Sequence, residues 1–329
     1  MVKLITGRTP EIFDDIDDAL ERVREFEADY KDHNTNPHSG LEVTKDGTVV
    51  VNGEEMPMTK TAYSQMLGRL RIPESFANRI DERLLVTNIR RLMKDNQEKE
   101  WVVKSGLKDD VRYIRGIVTP RYQPLYDSEV LRKTKTHIET NNVAVDGWDI
   151  NSNETSMRLT ARLPADIAPT TNVGDISKVG IDVVNGTSGM AKLGINLFVY
   201  RLVCSNGMVV PESMGGVTKV HVGKNFDETI RNGFQSAFDA ADTIAGIWSK
   251  AALTLLKDVK PQRQLRQIES LVEASFGRAT TQELFDSMDY DSNTVYDLIN
   301  TITDKAKMHT DPYQRHNVEA VAGRLLTAA

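Results

Sequence analysis

Residues 179–210, "VGIDVVNGTSGMAKLGINLFVYRLVCSNGMVV", consist of two strongly apolar runs separated by a glycine-rich segment. Short apolar runs bounded by turn residues are typical of buried β-strands. The stretch therefore predicts strands over about 178–184 and 191–204, joined by a turn. The second strand is followed by Asn206-Gly207, a dipeptide that favours a turn.

Two residues near the end of this stretch raise chemical questions. Cys204 is the only cysteine of the chain. A reactive thiolate needs an electropositive and partly exposed setting, whereas this cysteine ends an apolar run, so the pattern favours a buried structural role over a nucleophile. Arg201 lies within the same run, and a buried charge without a partner is costly. Its guanidinium must therefore reach water, a carboxylate or a phosphate.

The rest of the chain alternates between helical and strand patterns. The predicted elements of the first part are an acidic amphipathic helix over 10–31, a small hairpin over 41–58, two or three helices over 59–97, and strands over 100–104 and 111–118. They are followed by a helix from Ser128 to about Thr140 with Asp127 as its N-cap, and by a strand over 157–164 with a basic outer face. Helices are predicted from about 226 to the end, with breaks at Pro261, Gly277, Asp289 and Pro312.

Helix-rich, strand-rich and helix-rich zones in this order predict an α+β fold, with an antiparallel sheet core packed by helices. We expect three regions. Residues 1–58 form an acidic helix with a small hairpin, residues 59–225 form the α+β core, and residues 226–329 form a helical C-terminal region.

Charge is distributed unevenly along the chain. Residues 1–59 hold 6 Lys/Arg against 14 Asp/Glu, residues 60–140 hold 17 against 11, and residues 141–329 hold 18 against 22. The net charge of −6 therefore hides a basic middle zone. Since a partner meets one surface and not the whole charge, this zone is where an anionic partner is expected.

The chain of 329 residues is long enough to bury a full core without disulfides or metals. With one cysteine, no internal disulfide can form, which is typical of a reducing compartment. No segment has the roughly 18 apolar residues that span a bilayer. The sequence predicts a soluble protein of the cytoplasm.

None of the usual catalytic or cofactor-binding patterns is convincing. The glycines of 186–194 lack the Gly-Lys-Ser/Thr ending of a P-loop and the spacing of a dinucleotide fingerprint. The six histidines have no metal-site spacing. The acidic runs 14–18 and 286–294 are typical of solvated helix faces or loops, because neither has the pattern of a calcium loop. We therefore expect no enzymatic activity, no cofactor and no metal.

Basic and aromatic residues are interleaved in the middle zone. Single-stranded nucleic acid is bound by this combination, because cations follow the phosphates and flat rings stack on bases. The candidate nucleic-acid-binding residues are Arg112, Tyr113, Arg115, Arg121, Tyr122, Lys133, Lys135, Arg158, Arg162 and Arg201. The alternative interpretation is that these side chains pair with the abundant acids and pack at the edges of the core.

Two segments carry a family resemblance: "RGIVTPRYQPLYDSEVL" at 115–131 and the stretch 179–210 quoted above. Over about 60–225 the chain resembles phage/plasmid-like proteins that are grouped as a domain of unknown function. The resemblance implies an origin in a phage or another mobile element and carries no settled activity. By size, mixed fold and setting, such proteins are similar to single-strand annealing recombinases, which pair complementary strands without ATP.

Two functional hypotheses follow. The first is a phage-encoded protein that binds and anneals single-stranded DNA as a homo-oligomer, with affinity that falls steeply with salt. The second is a phage protein-interaction factor that binds a host or virion protein through its acidic helix and helical tail. Neither involves a membrane.

Overall fold

The computed structural model describes residues 2–96, 99–167, 176–201 and 206–328. The elements of the first part of the chain are β1 (Glu11–Phe13), α1 (Ile16–Ala28), β2 (Lys31–Thr35), β3 (Leu41–Val43), β4 (Val49–Val51), β5 (Glu54–Glu55), α2 (Lys60–Arg69), α3 (Glu74–Ala77), α4 (Glu82–Asp95), β6 (Trp101–Lys108), β7 (Val111–Val118) and α5 (Asp127–Thr140).

The second part begins with strands and ends with helices. Its elements are β8 (Gly147–Ser152), β9 (Met157–Ile167), β10 (Ser177–Asn185), β11 (Leu193–Arg201), β12 (Asn206–Val209), α6 (Glu212–Gly215), β13 (Gly216–Lys219), α7 (Phe226–Leu253), α8 (Arg263–Phe276), α9 (Arg278–Asp286), α10 (Val295–Ala306) and α11 (Pro312–Gly323), with 3₁₀ turns at Leu256–Asp258 and Arg324–Ala328.

A seven-stranded antiparallel sheet dominates the fold. Its spatial order is β1-β8-β9-β10-β11-β12, and β13 pairs with the other half of β11. One face of this sheet, which includes Leu159, Ile181 and Leu197, is fully buried against helices. The alternation of side chains along each strand places polar residues on the opposite face. That second face carries the candidate site.

A smaller unit surrounds a second hydrophobic core. It contains the three-stranded sheet β2-β6-β7, the hairpin strands β3-β4-β5 and helices α2 to α4. Asp109 and Asp110, between β6 and β7, both have positive φ angles, as the tight turn expected between these strands requires. The hairpin after residue 41 and the strands near 100 and 111 are confirmed.

The predicted α+β class is confirmed, but the first helix is shorter than its sequence pattern suggests. Residues 11–13 form strand β1 and pair with β8, and the helix begins at Ile16 after the N-cap Asp15. Apolar Ile12 and Phe13 fit a helical period and a strand equally well, which explains the error. Helix α5 begins at Asp127 with Tyr126 as its N-cap, one residue before the predicted start.

The C-terminal helices share the core of the large sheet. Apolar residues of α7, α10 and α11 lie in the same buried cluster as those of β9, β10 and β11. The expected boundaries at 58 and 225 therefore do not coincide with the limits of the two cores. Among the helices of the described ranges, none has the length and apolar composition needed to cross a membrane.

Candidate nucleic-acid-binding groove

A groove with a volume of about 540 Å³ lies on the polar face of the large sheet, beside helix α11. Antiparallel register explains which side chains meet there. Thr160 of β9 pairs with Asp149 of β8 on one side and with Asp182 of β10 on the other. The residues that line the groove include Ile12, Asp149, Asn151, Arg158, Thr160, Arg162, Phe198, Tyr200, Arg201, His309 and Arg315.

A buried ionic network forms the floor of the groove. Arg158 donates to the carboxylates of both Asp182 and Glu319, two side chains that are fully buried. His316 Nδ1 lies 2.7 Å from the second oxygen of Asp182, and Arg315 Nε donates to Glu319 at 2.9 Å. The network ties the sheet to α11, because His316, Arg315 and Glu319 all belong to that helix.

The electrostatics of this network favour the ionised form of Asp182. Burial alone would raise the pKa of Asp182, but the charge of Arg158 and the hydrogen bonds from Arg158 and His316 outweigh it. The pKa of Asp182 therefore lies below its ordinary value. Because Arg158 is paired with Asp182 and Glu319, its positive charge is neutralised and is not available to a ligand.

Two aromatic rings form one wall of the groove. Phe198 and Tyr200, two residues apart on β11, are stacked with their centroids 6.1 Å apart. A side chain at position 207 would overlap the Phe198 ring, so Gly207 on the neighbouring strand allows the ring to lie flat across it. Arg158 lies 5.3 Å from the Phe198 centroid, within the range of a cation–π contact.

Cations lie at the rim of the groove. Arg162 is exposed, and its Nη2 makes a long hydrogen bond of 3.5 Å to the carbonyl of Trp148. The guanidinium lies close to Gly147, where a Cβ would be 2.5 Å from Nη2. Arg201 lies 5.8 Å from the ring centroid of Tyr296, at the end of β11. With Arg315, three arginines border one concave surface.

The structure thus brings together three of the ten predicted binding residues: Arg158, Arg162 and Arg201. The strand over 157–164 was expected to expose its basic face. Instead Arg158 and Thr160 are buried beneath α11, with 7% and 8% of their surface exposed, while Arg162 remains at the surface. A helix from the far end of the chain covers this face, and the strand pattern carries no sign of it.

Three other predicted residues lie at the junction between the two sheets. Arg115 is 2% exposed, donates to Glu154 at 2.8 Å and lies 3.5 Å from the ring centroid of Tyr30. Tyr113 is also 2% exposed and donates to the same carboxylate. Tyr122 donates to the carbonyl of Gly186 at 2.6 Å. Arg115 and Tyr113 are thus buried and present no open surface to a nucleic acid, while Tyr122 is partly buried.

The remaining predicted cations are dispersed over other surfaces. Lys133 pairs with Asp227, and Lys135 donates to Asp17 at 2.7 Å. Arg112 donates to the carbonyl of Asp29 and to the hydroxyl of Ser105. Arg121 is exposed beyond the end of β7. None of these four cations is among the residues that line the groove.

Several groove residues were not predicted. Phe198 and Tyr200 lie in the strand on which the fold prediction rests, and their two-residue spacing places them on one face. The sequence does not reveal that Phe198 lies opposite Gly180 of β10, which in turn lies opposite Arg162 of β9. Arg315 gives no signal at all, because it is one arginine on a surface helix. Cys204 lies outside the described residues.

The junction also holds two acidic side chains with altered titration. Burial, and then the neighbouring charge of Asp127, raise the pKa of Glu27 from 4.5 to about 7. Burial raises the pKa of Asp127 as well, against the hydrogen bond from Asn185. The two carboxylates repel each other when both are ionised. In the described ranges, no group of three or more His, Cys, Asp or Glu side chains could hold a metal ion.

Comparison with known protein families gives a match. The model of a family described as a domain of unknown function (DUF932) matches residues 115–325, about two thirds of the chain. The matched segment runs from β7 to the last 3₁₀ turn and includes the groove strands and α11. No curated protein and no solved structure matches the chain. The chain belongs to the DUF932 family, whose function is unknown.

Proposed function

We propose that the protein binds single-stranded DNA in the groove beside α11 and promotes annealing of complementary strands without catalysis and without ATP. One observation carries the proposal: Arg162, Arg201 and Arg315 border the same concave surface as the stacked rings of Phe198 and Tyr200. Cations that contact phosphates beside rings that accept bases are the combination used by proteins that bind single strands.

The dimensions of the groove limit what one chain holds. A volume of about 540 Å³ is in the range of sites that bind small molecules. One or two nucleotides therefore fit in the groove, and a long strand does not. Bases outside the groove remain free to pair. Binding of a long strand then requires several copies side by side, and we propose a homo-oligomer for this reason.

The acidic net charge is compatible with this proposal, because most of the acids lie away from the groove. Among the described residues that line the groove, Asp149 is the one carboxylate. The setting we propose is the cytoplasm of a host cell that carries a phage or plasmid.

The decisive experiment measures binding of the full chain to a fluorescent single-stranded oligonucleotide across a salt series. We expect affinity to fall with salt, and R162E to weaken binding and lower the slope of log K against log salt by about 0.7 per lost phosphate contact. R91E is the matched control, because Arg91 is exposed on α4 and does not line the groove. Absence of binding at low salt, or equal effects of both variants, contradicts the proposal.

A second measurement addresses assembly. The mass of the particle in solution, with and without single-stranded DNA, is expected to increase in the presence of DNA. A monomer that is indifferent to DNA contradicts both the annealing function and the homo-oligomer.

One observation favours an alternative, binding of a host or virion protein. Helix α1 exposes Asp18 and Glu21 on its outer side, while Ile16, Ala19 and Val23 are buried. Removal of the helix would therefore damage the core, and surface substitution is the better test. D18K/E21K should abolish capture of a protein partner under the alternative, but leave DNA binding intact or strengthened under the first proposal.

A further inference from the structure

A row of basic side chains lies on the outer side of helix α4, in the smaller unit of the fold. Residues 83–94, "RLLVTNIRRLMK", hold four cations and no acid. Arg83, Arg90 and Lys94 are spaced i, i+7 and i+11, which places them along one side of the helix. Arg91 projects about 100° away from Arg90 around the helix axis and lies outside this alignment. We call the three aligned cations the α4 row.

The α4 row is open to solvent. Leu85 and Ile89, on the opposite side of the helix, are buried in the second hydrophobic core. The two end members of the row are exposed, and Arg90 is partly exposed. In the described part of the chain, no carboxylate forms an ion pair with these three cations, whereas Lys133, for example, pairs with an acid. The charge of the row is therefore available to a partner.

The stability of the helix explains only one end of the row. Cations are favourable in the last turn of a helix, where Lys94 lies, and unfavourable in the first turn, where the macrodipole is positive. Arg83 lies in the first turn of α4. Its charge opposes the preference of the helix, and an anion from outside the chain would compensate it.

The shape of the row favours a strand of nucleic acid over a lipid surface. From Arg83 to Lys94 the helix rises by about 16 Å. This is the length of about five phosphates along one strand at the duplex spacing of about 3.4 Å. A helix that lies on a membrane buries its apolar side in the lipid, but the apolar side of α4 is already buried in the protein core. The row thus fits phosphates that follow the helix axis.

We propose that the α4 row binds the phosphates of the second strand during annealing, while the groove holds the first strand. This inference rests on the proposed function. Two strands repel each other through their phosphates, and cations on the same chain raise the local concentration of the incoming strand. Contacts to phosphates alone are weak and independent of sequence, so a single strand occupies the groove first. The row contains no ring on which a base stacks, and the bases of the second strand remain free to pair.

The test separates binding of one strand from pairing of two. Annealing of two complementary oligonucleotides, one with a fluorophore and one with a quencher, is followed in the presence of the full chain. R83E/K94E should bind a single labelled strand within about twofold of the wild type. It should anneal the two strands at least about tenfold more slowly, because electrostatic steering changes association rates on this scale. R162E should lose both binding and annealing.

The control carries the same change of charge on another helix. R263E/R266E replaces two exposed arginines of α8 that lie outside the groove, and it should anneal at the wild-type rate. R83Q/K94Q adds no acid and should show a smaller loss of annealing in the same direction as R83E/K94E. If R83E/K94E is no slower than R263E/R266E, this inference alone is overturned. Absence of single-strand binding by the wild type overturns the proposed function itself.

The mass of the particle without DNA distinguishes a strand from a second copy of the chain as the occupant of the row. R83E/K94E should leave this mass unchanged. A change in mass would show that the row is a contact between copies, and it would overturn the assignment of the row to the second strand.

Discussion

Two buried arginines, Arg115 and Arg158, occupy similar chemical settings but different places in the molecule. Arg115 pairs with Glu154 at the junction of the two sheets, where Tyr113 and Tyr30 complete the packing. Arg158 pairs with Asp182 and Glu319 beneath a groove that remains open. A buried arginine with its acids is thus no sign of a binding site. What distinguishes the groove is the open space above the network.

The first prediction concerns the stability that each network contributes. Removal of one partner from a buried ion pair leaves an uncompensated charge and typically costs about 3–5 kcal/mol. We expect R115M and R158M each to lower the free energy of unfolding by about this amount. Urea unfolding followed by circular dichroism measures both.

The double variant R115M/E154Q serves as the control for this comparison. It removes both charges of the Arg115–Glu154 pair, and a part of the lost stability should return because neither member of the pair is left without its partner. If R115M alone costs less than about 1 kcal/mol, the junction is hydrated and the comparison between the two networks fails.

The second prediction concerns pH, where the two regions should respond in opposite directions. Glu27 at the junction has a folded-state pKa near 7, above its ordinary 4.5. Its contribution to stability is therefore fully present below about pH 4.5 and is lost as pH rises through about 7. The pKa of Asp182 is lowered, so its contribution is present above its ordinary 3.8 and is lost at more acidic pH.

Substitution of Glu27 isolates the junction component. E27Q should be more stable than the wild type at pH 8.5 by about 1–3 kcal/mol, since water partly screens a half-buried group, and should match it near pH 4.5. Urea unfolding at several pH values gives the difference curve. A constant difference across this range would show that Glu27 does not titrate as the geometry indicates.

The groove and the junction also differ in how far the sequence predicts them. The strands predicted over 111–118, 157–164, 178–184 and 191–204 follow from apolar runs and alternation. The structure has β7, β9, β10 and β11 at these positions, and residues 202–205 of the last prediction lie outside the described residues. The burial of Arg115 does not follow, because it depends on Glu154, 39 residues away in the chain. Likewise Glu319, which neutralises Arg158, is separated from it by 161 residues. Local patterns identify the face of an element but not what covers it.

The smallest expected effect tests whether cations outside the groove contribute to DNA binding. Lys135 on α5 pairs with Asp17 at the surface, away from the groove. Because exposed pairs of this kind contribute little, K135A should leave the urea midpoint unchanged. Its affinity for single-stranded DNA should change by less than about twofold, with an unaltered salt slope, since no phosphate contact is lost. R162A, measured in parallel, should lose affinity and slope. Were K135A to weaken binding as much as R162A, the DNA path would extend over α5, and the groove would be one part of a longer basic surface.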